Sequence, residues 1–270
     1  MKPLSPLAAM TFAAALGLCA AAPAGAQSST PDSGWQFEVT PYFWMTALKG
    51  STAINNLPQV NIDMSFSDVL NLLDFGLMGT FEARKGRWGM FFDAFYAKMS
   101  DSGGRSTTLS PGPGPGVGIA VNGSLDLKNI IVEAAVEYRV IEGSTPVDLF
   151  FGARYNDIDI DSTVSVAGLG QLGLSGSRDF NYSKNWTDPY IGVRVMHPVA
   201  AHWMLVGYYD YGGFSSSDNS WQALAGVKYE INKTFSASLG YRYLHFDYDK
   251  NGFLYDMDYK GAYLGLGIKF

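Results

Sequence analysis

The sequence holds one cysteine, Cys19, and three histidines, and only 16% of its 270 residues are charged, against about 25% in soluble globular domains. Cys19 sits in an N-terminal apolar stretch, so the chain beyond it has no cysteine for a disulfide, a thiolate zinc site or a nucleophile. No later run approaches the roughly 18 apolar residues of a membrane-spanning helix. A sustained 3.6-residue apolar period is also missing, which argues against a helical bundle. The net charge of −6 lacks the basic surplus of a nucleic-acid binder. What the chain has in quantity is Gly (31), Tyr (16), Phe (17) and Trp (6). That composition belongs to an ordered, aromatic, Gly-rich all-β chain.

Lys2, the apolar run Leu7 to Ala22 and the Ala24-Gly25-Ala26 site have the three parts of a secretory signal peptide, residues 1–26. Lipidation at Cys19 is disfavoured because Leu18, not a small residue, precedes it. The remaining 27–270 are expected to form one domain. An exported chain without a spanning helix is either soluble or a β-barrel in an outer membrane, and the strand pattern distinguishes the two.

Period-two strand signals recur at 35–49, 75–85, 87–99, 124–141, 147–161, 187–197, 203–213, 221–231, 234–247 and 254–270. Most reach the 9–11 residues that a tilted strand needs to cross a bilayer. The connections alternate: tight ones at Lys85-Gly86, Glu142 to Pro146, Pro198 to His202 and Asn232-Lys233 face loops at 50–74, 100–123, 162–186, 214–220 and 248–253. Short turns at one end and longer loops at the other are the pattern of a transmembrane barrel. The spacing predicts an all-β, up-and-down antiparallel barrel of ten strands, with eight or twelve as alternatives.

Alternation also divides the faces. Ile130, Val132, Ala134, Val136, Tyr138 and Val140 oppose Glu133, Glu137 and Arg139; Phe235, Ala237, Leu239, Tyr241 and Tyr243 oppose Ser236, Ser238 and Arg242. With apolar residues set toward lipid, the inward acids are Glu38, Glu82, Asp93, Glu133, Glu137, Asp148, Asp188, Asp210 and Glu230. The inward bases are Arg84, Arg139, Arg154, Arg194, Lys228, Arg242 and Lys269. Ten strands enclose little more than the eight-stranded kind whose side chains fill the interior, so a closed, ion-paired lumen is expected. A narrow pore whose pairs rearrange to admit water and small ions is the alternative.

The chain ends on an alternating strand, with Leu264, Leu266, Ile268 and Phe270 on one face. It resembles the C-terminal assembly signal of bacterial outer-membrane barrels, which implies recognition by the barrel assembly machinery. Trp35 to Gly50, Phe75 to Asp93 (FGLMGTFEARKGRWGMFFD) and Leu239 to Asp249 (LGYRYLHFDYD) extend the resemblance to OmpA-like, porin-family outer-membrane β-barrels of proteobacteria. It implies a Gram-negative outer-membrane location, contact with membrane lipid and lipopolysaccharide, and weakly the diffusion of small solutes. No cofactor and no nucleic-acid partner are expected.

Ser65 followed by Asp68, with Phe66, Val69, Leu70 and Leu73 at helical spacing, predicts a short capped helix on the loops, with a cap or plug over the mouth as alternatives. Asp157, Asp159 and Asp161 lack the later Gly and acid of a calcium loop; with Asp247, Asp249, Asp256 and Asp258 they read as a solvated acidic rim, and as a weak divalent-ion candidate. His245 and the rim acids offer a second alternative function, an outer-membrane hydrolase or protease, although no Ser-His-acid pattern accompanies them. The expected class is non-enzymatic. Pro111 to Gly116 is a low-complexity loop. Pro41 removes a ladder donor, which predicts a bulge or a strand starting after it.

Overall fold

A computed structural model describes residues 34–55, 58–109, 117–167, 176–214 and 216–270. The expected signal segment 1–26 and the run Pro111 to Gly116 lie outside the described residues. Among the described residues there are eleven strands and one short helix: β1 (Gln36–Ile54), β2 (Val60–Met64), α1 (Phe66–Leu72), β3 (Leu73–Lys85), β4 (Trp88–Leu109), β5 (Val117–Ile141), β6 (Val147–Ala167), β7 (Gly176–Ala200), β8 (Trp203–Gly212), β9 (Asn219–Glu230), β10 (Phe235–Lys250) and β11 (Phe253–Lys269). From β3 onward each strand pairs antiparallel with its sequence neighbour, and β11 pairs with β1, from Glu38↔Lys269 to Ile54↔Phe253. The sheet therefore closes on itself and leaves no open edge there.

The count is eleven rather than ten because β2 joins the wall. β1 pairs with β3 from Gln36↔Arg84 to Pro41↔Gly79, then with β2 from Leu48↔Met64 to Thr52↔Val60. Ten strands make the ring, and β2 lies beside the upper half of β1. The long loops also shrink. β4 and β5 stay paired to Leu109↔Val117, and β6 and β7 to Val166↔Gly176, so most of 100–123 and 162–186 is strand. These stretches are rich in Ser, Thr and Gly, which dilutes the period-two signal while the ladder continues. The turn between β10 and β11 is two residues, Asn251 (φ 56°) and Gly252 (φ 74°). Positive φ at both centres is the hairpin geometry that Asn-Gly favours.

β1 runs straight through Pro41 without starting after it. Its ladder to β11 skips Thr40 and Pro41, as a missing donor requires. At the end carrying the tight turns, exposed aromatics gather outside: Trp35 on Phe37 (6.1 Å), Phe37 on Phe270 (5.6 Å), Trp88 on Tyr138 (4.7 Å) and Trp203 on Tyr229 (4.8 Å). Higher up, Trp221 stacks on Tyr243 at 4.7 Å and on Tyr209 at 6.4 Å. Two aromatic levels separated by apolar wall match the two interfaces of a bilayer. Leu264, Leu266, Ile268 and Phe270 share the outer face of β11, and Phe37 and Phe270 exchange backbone hydrogen bonds of 3.2 and 3.0 Å that tie the strand end to β1.

Closure depends on a glycine. A Cβ at Gly261 would stand 1.8 Å from the Met45 carbonyl oxygen, whereas one at Gly207 would meet nothing within 4 Å. We expect Gly261→Val to force the β11–β1 seam apart and cost about 1–3 kcal/mol or more, while Gly207→Ala is near neutral. Urea unfolding in detergent micelles, together with heat-dependent gel mobility, measures both. Equal stability of the two variants would mean that the seam closes differently.

Candidate functional site: a three-tier lumen

Inward side chains form three tiers along the barrel axis. The lowest, near the tight turns, is a knot of guanidinium and carboxylate groups. Arg194 reaches Glu82 (2.7 Å), Glu137 (2.9 Å) and Asp148 (3.0 Å). Arg84 contacts Glu137 (2.7 Å) and Asp148 (3.0 Å), and Arg139 grips Asp148 through Nε (2.8 Å) and Nη2 (3.0 Å). Gly89 makes the room: a Cβ there would collide with the Glu137 carboxylate. Lys228–Glu38 (2.7 Å) and Lys269–Glu230 (2.6 Å) flank the knot, the latter partly open to solvent. Outside, on the turn, Arg87 donates to Glu142 at 2.6 Å and holds that carboxyl below its ordinary range.

The middle tier is completely buried. Arg154 donates through Nε to Glu133 (2.9 Å), through Nη2 to both oxygens of Asp210 (2.7 and 2.8 Å) and through Nη1 to Ser220 (3.2 Å). Arg242 donates to Asp93 (2.9 Å) and to the Tyr42 hydroxyl (2.8 Å), and Tyr42 in turn donates to Asp93 at 2.6 Å. Register explains the convergence, because Glu133, Arg154 and Asp188 lie side by side across β5, β6 and β7. Asp188 departs from the expected pairing. Arg154 turns to Glu133 and Asp210, and Asp188 instead accepts the backbone N–H groups of Ser216 (3.1 Å) and Ser217 (2.8 Å). Between the two tiers lies a cavity of about 150 Å³ bordered by Glu82, Arg194, Lys228, Arg242, Tyr208 and Tyr263.

The upper tier is aromatic. Trp44, Phe95, Trp186, Leu244, Phe246, Tyr248, Phe253, Tyr255 and Tyr259 fill the interior toward the longer-loop end. Trp186 meets Tyr248 at 4.8 Å and Tyr255 at 5.7 Å, and Trp44 meets Phe95 edge-on at 6.0 Å. The Arg242 guanidinium sits 4.7 Å from the Trp44 ring centre and joins this tier to the one below. The sequence reading placed apolar residues outside and polar ones inside throughout, and so missed this tier. Its signal was present in β10, where the parity of Ser236 and Arg242 continues into Leu244, Phe246 and Tyr248.

The other candidates lie off the lumen. His245 shares outer-face parity with Tyr241 and Tyr243; its Nδ1 is 2.8 Å from Asp258 and Trp221 stands 5.8 Å away. Asp157, Asp159 and Asp161 line the outer face of β6, with Asp159 held by Lys128 at 3.0 Å. Among the described residues no three acid, His or Cys groups converge to hold a metal.

Glu133 and Asp210 share Arg154 as their nearest cation, with Arg242 3.5 Å from Glu133, so removing Arg154 is costly in a dry interior. Arg154→Leu is expected to destabilise the barrel by roughly 3–5 kcal/mol, and Arg154→Leu with Asp210→Asn to lose distinctly less than the sum of the two single changes. Denaturant unfolding of all three proteins measures the coupling, and simple additivity would show that Asp210 does not need Arg154.

The fold resembles Escherichia coli outer membrane protease OmpT, with a TM-score of 0.54 and 13% identity over 91% of this chain and 99% of that one. Weaker likenesses are to Neisserial surface protein A (TM-score 0.32, 14% identity, 88% of this chain and 98% of that one) and to Ail of Yersinia pestis (0.31, 14%, 88% and 100%). Among curated proteins none matches the sequence. The sequence pattern of the Opacity family porin protein matches residues 136–270, half of the chain, from within β5 to the final Phe270. The chain belongs to the Opacity family of porin proteins.

Proposed function

We propose that this protein is an integral barrel of the Gram-negative outer membrane whose lumen is closed at rest and whose role is structural, not conductive. The observation that carries this reading is the stacking of two seals. Arg154, Glu133 and Asp210 are each at most 1% exposed, and directly above the neighbouring Arg242 the Trp44, Phe246 and Tyr259 rings occupy the axis. Mixed charge that satisfies itself plugs a lumen more readily than it selects ions. Family membership, the two aromatic levels and the expected signal segment support the location. Membrane lipid and lipopolysaccharide are then its surroundings, and the outer face of Leu264, Leu266, Ile268 and Phe270 is what the assembly machinery reads.

A narrow pore for small hydrophilic or ionic solutes is the second reading. It is favoured by the cavity of about 150 Å³ bordered by Arg242, Glu82, Arg194 and Lys228, a chamber that a shift of the pairs above would extend. A hydrolytic role has less support, because the His245–Asp258 pair sits on the outer wall, apart from the lumen acids.

Single-channel recording in planar bilayers separates the readings. The unaltered protein is expected to insert and stay silent. Arg242→Ala or Phe246→Ala alone should remain silent too, since one seal persists, and steady steps should appear only in the double variant. Salt-dependent steps from the unaltered protein would establish the pore instead.

A further inference from the structure

β7 runs for 25 residues, whereas its neighbour β8 runs for 10. Their ladder starts at Tyr190↔Gly212, because β8 turns away at Gly213, whose φ of 97° favours glycine. Above Tyr190, β7 is paired with β6 alone, without a register shift, up to Val166↔Gly176. The β8–β9 loop reaches only the lower end of this edge, where Ser216 and Ser217 donate to the Asp188 carboxylate. From Gly176 to Thr187, no backbone group of a described residue outside β6 pairs with β7. Alternate residues there turn an N–H and a C=O toward a gap in the wall that β8 fills lower down.

Proline and bulges are common ways to blunt an open edge. Between Gly176 and Thr187 there is neither, and the ammonium of Lys184 lies 5.2 Å from the Tyr248 ring. The two faces of the edge differ. On the inner face Phe180 is 38% exposed, Tyr182 stands 5.2 Å from Phe253 and Trp186 stands 4.8 Å from Tyr248. An apolar surface thus continues from the aromatic tier out to the edge. On the outer face Asn181, Ser183 and Asn185 are exposed. Cross-strand register sets Asp126, Asp157, Asp159, Asp161 and Asp179 on that same face, against Lys98 and Lys128. It is polar, with an excess of negative charge. The other open edge, β4 beyond Met99, offers Asp101 and Gly103 where β7 offers aromatic rings.

We propose that the β7 edge from Gly176 to Thr187 is a docking site for an extended segment of a partner protein, which adds as a strand antiparallel to β7 and alternates apolar with basic residues. The ladder supplies affinity and the two faces supply selection. Apolar side chains of the incoming strand lie beside Phe180 and Tyr182. Its lysines or arginines lie beside Asn181, Ser183 and Asn185, within reach of the acidic row. The direction follows from the wall, since β8, which holds the same position lower down, is antiparallel to β7. The edge stands at the longer-loop end, so on the outer-membrane reading given above the partner is met outside the cell.

The chain beyond Cys19 has no cysteine, so Ser183→Cys gives the barrel, refolded in uncharged micelles, a single thiol. The probe is a short peptide alternating Val and Lys, with one Cys placed at each position in turn, in a glutathione redox buffer. Peptide cysteines on the Lys face should cross-link several-fold more than those on the Val face, because only side chains on one face of adjacent strands come within disulfide reach. Moving the protein thiol to Asn185→Cys should shift the favoured peptide position by two residues toward the peptide N-terminus, as an antiparallel register requires. Glu in place of Lys should lower the yield about tenfold at low salt. Cross-linking without a period of two would overturn strand addition, and a shift toward the peptide C-terminus would overturn its direction. Equal yields from the Glu peptide would overturn the basic partner. A disulfide dimer of Ser183→Cys formed without peptide would assign the edge to a second copy of this chain instead. Should Ser183→Cys fail to refold, Asn181→Cys and Asn185→Cys carry the same scan. Cross-linking is read without conductance, so this site and the closed-lumen reading fail separately.

Discussion

Backbone groups in hydrocarbon have no water to bond with, and most of this structure follows from that constraint. It forces the sheet to close, so β11 returns to β1 and the chain ends at Phe270 bonded to Phe37. Closure in turn creates an interior that must be filled. Ten strands give a lumen too wide for small side chains to meet and too narrow for an open channel. The chain fills it with its longest groups, arginines and aromatic rings, and the division of labour between them sets the tiers.

The ion tiers survive burial because the most deeply buried arginines each serve more than one carboxylate. Arg194 spans Glu82, Glu137 and Asp148, and Arg154 spans Glu133 and Asp210. Each guanidinium spreads its donors over several carboxylates, which offsets the loss of hydration better than isolated pairs would. The aromatic tier above shields those groups from the longer-loop end, where the strands rise beyond the membrane. Arg242 belongs to both levels, bonded to Asp93 and lying on the Trp44 ring. A change at either level is therefore transmitted to the other through one side chain.

Strand positions and wall faces were legible in the sequence because alternation is a local property. The strands at 203–213, 221–231 and 234–247 and the inward positions of Glu133, Arg154 and Asp210 needed nothing more than parity. Three features were not legible, each for a physical reason. The hairpins beyond Ser100 and Asp161 are rich in Ser, Thr and Gly, so the ladder runs on with a diluted apolar signal. The aromatic tier has the same residue types inside as lipid demands outside, which makes Leu244 and Phe246 indistinguishable from wall residues by type alone. The partner of Asp188 is the backbone of Ser216 and Ser217, and no pattern of charges announces a backbone donor. Ser65 and Asp68 did signal the α1 cap, but its place in the wall depends on where the β1–β3 ladder stops.

That stopping place shows how far the closure constraint can be relaxed. A strand pair that separates within the wall leaves its backbone facing apolar surroundings unless something covers it. Here the cover is a short amphipathic helix that packs Val69 and Leu72 on the aromatic tier and Phe66 on Phe43. A continuous ladder would have been more stable, since each added pair contributes hydrogen bonds and cross-strand contact. The chain instead spends twelve residues on β2 and α1, from Val60 to Leu72 with Ser65 between, to close the same gap with weaker contacts. β4 through β7 remain paired with one another along nearly their whole length, whereas β7 has no β8 partner before Tyr190. Stability is therefore distributed unevenly around the ring.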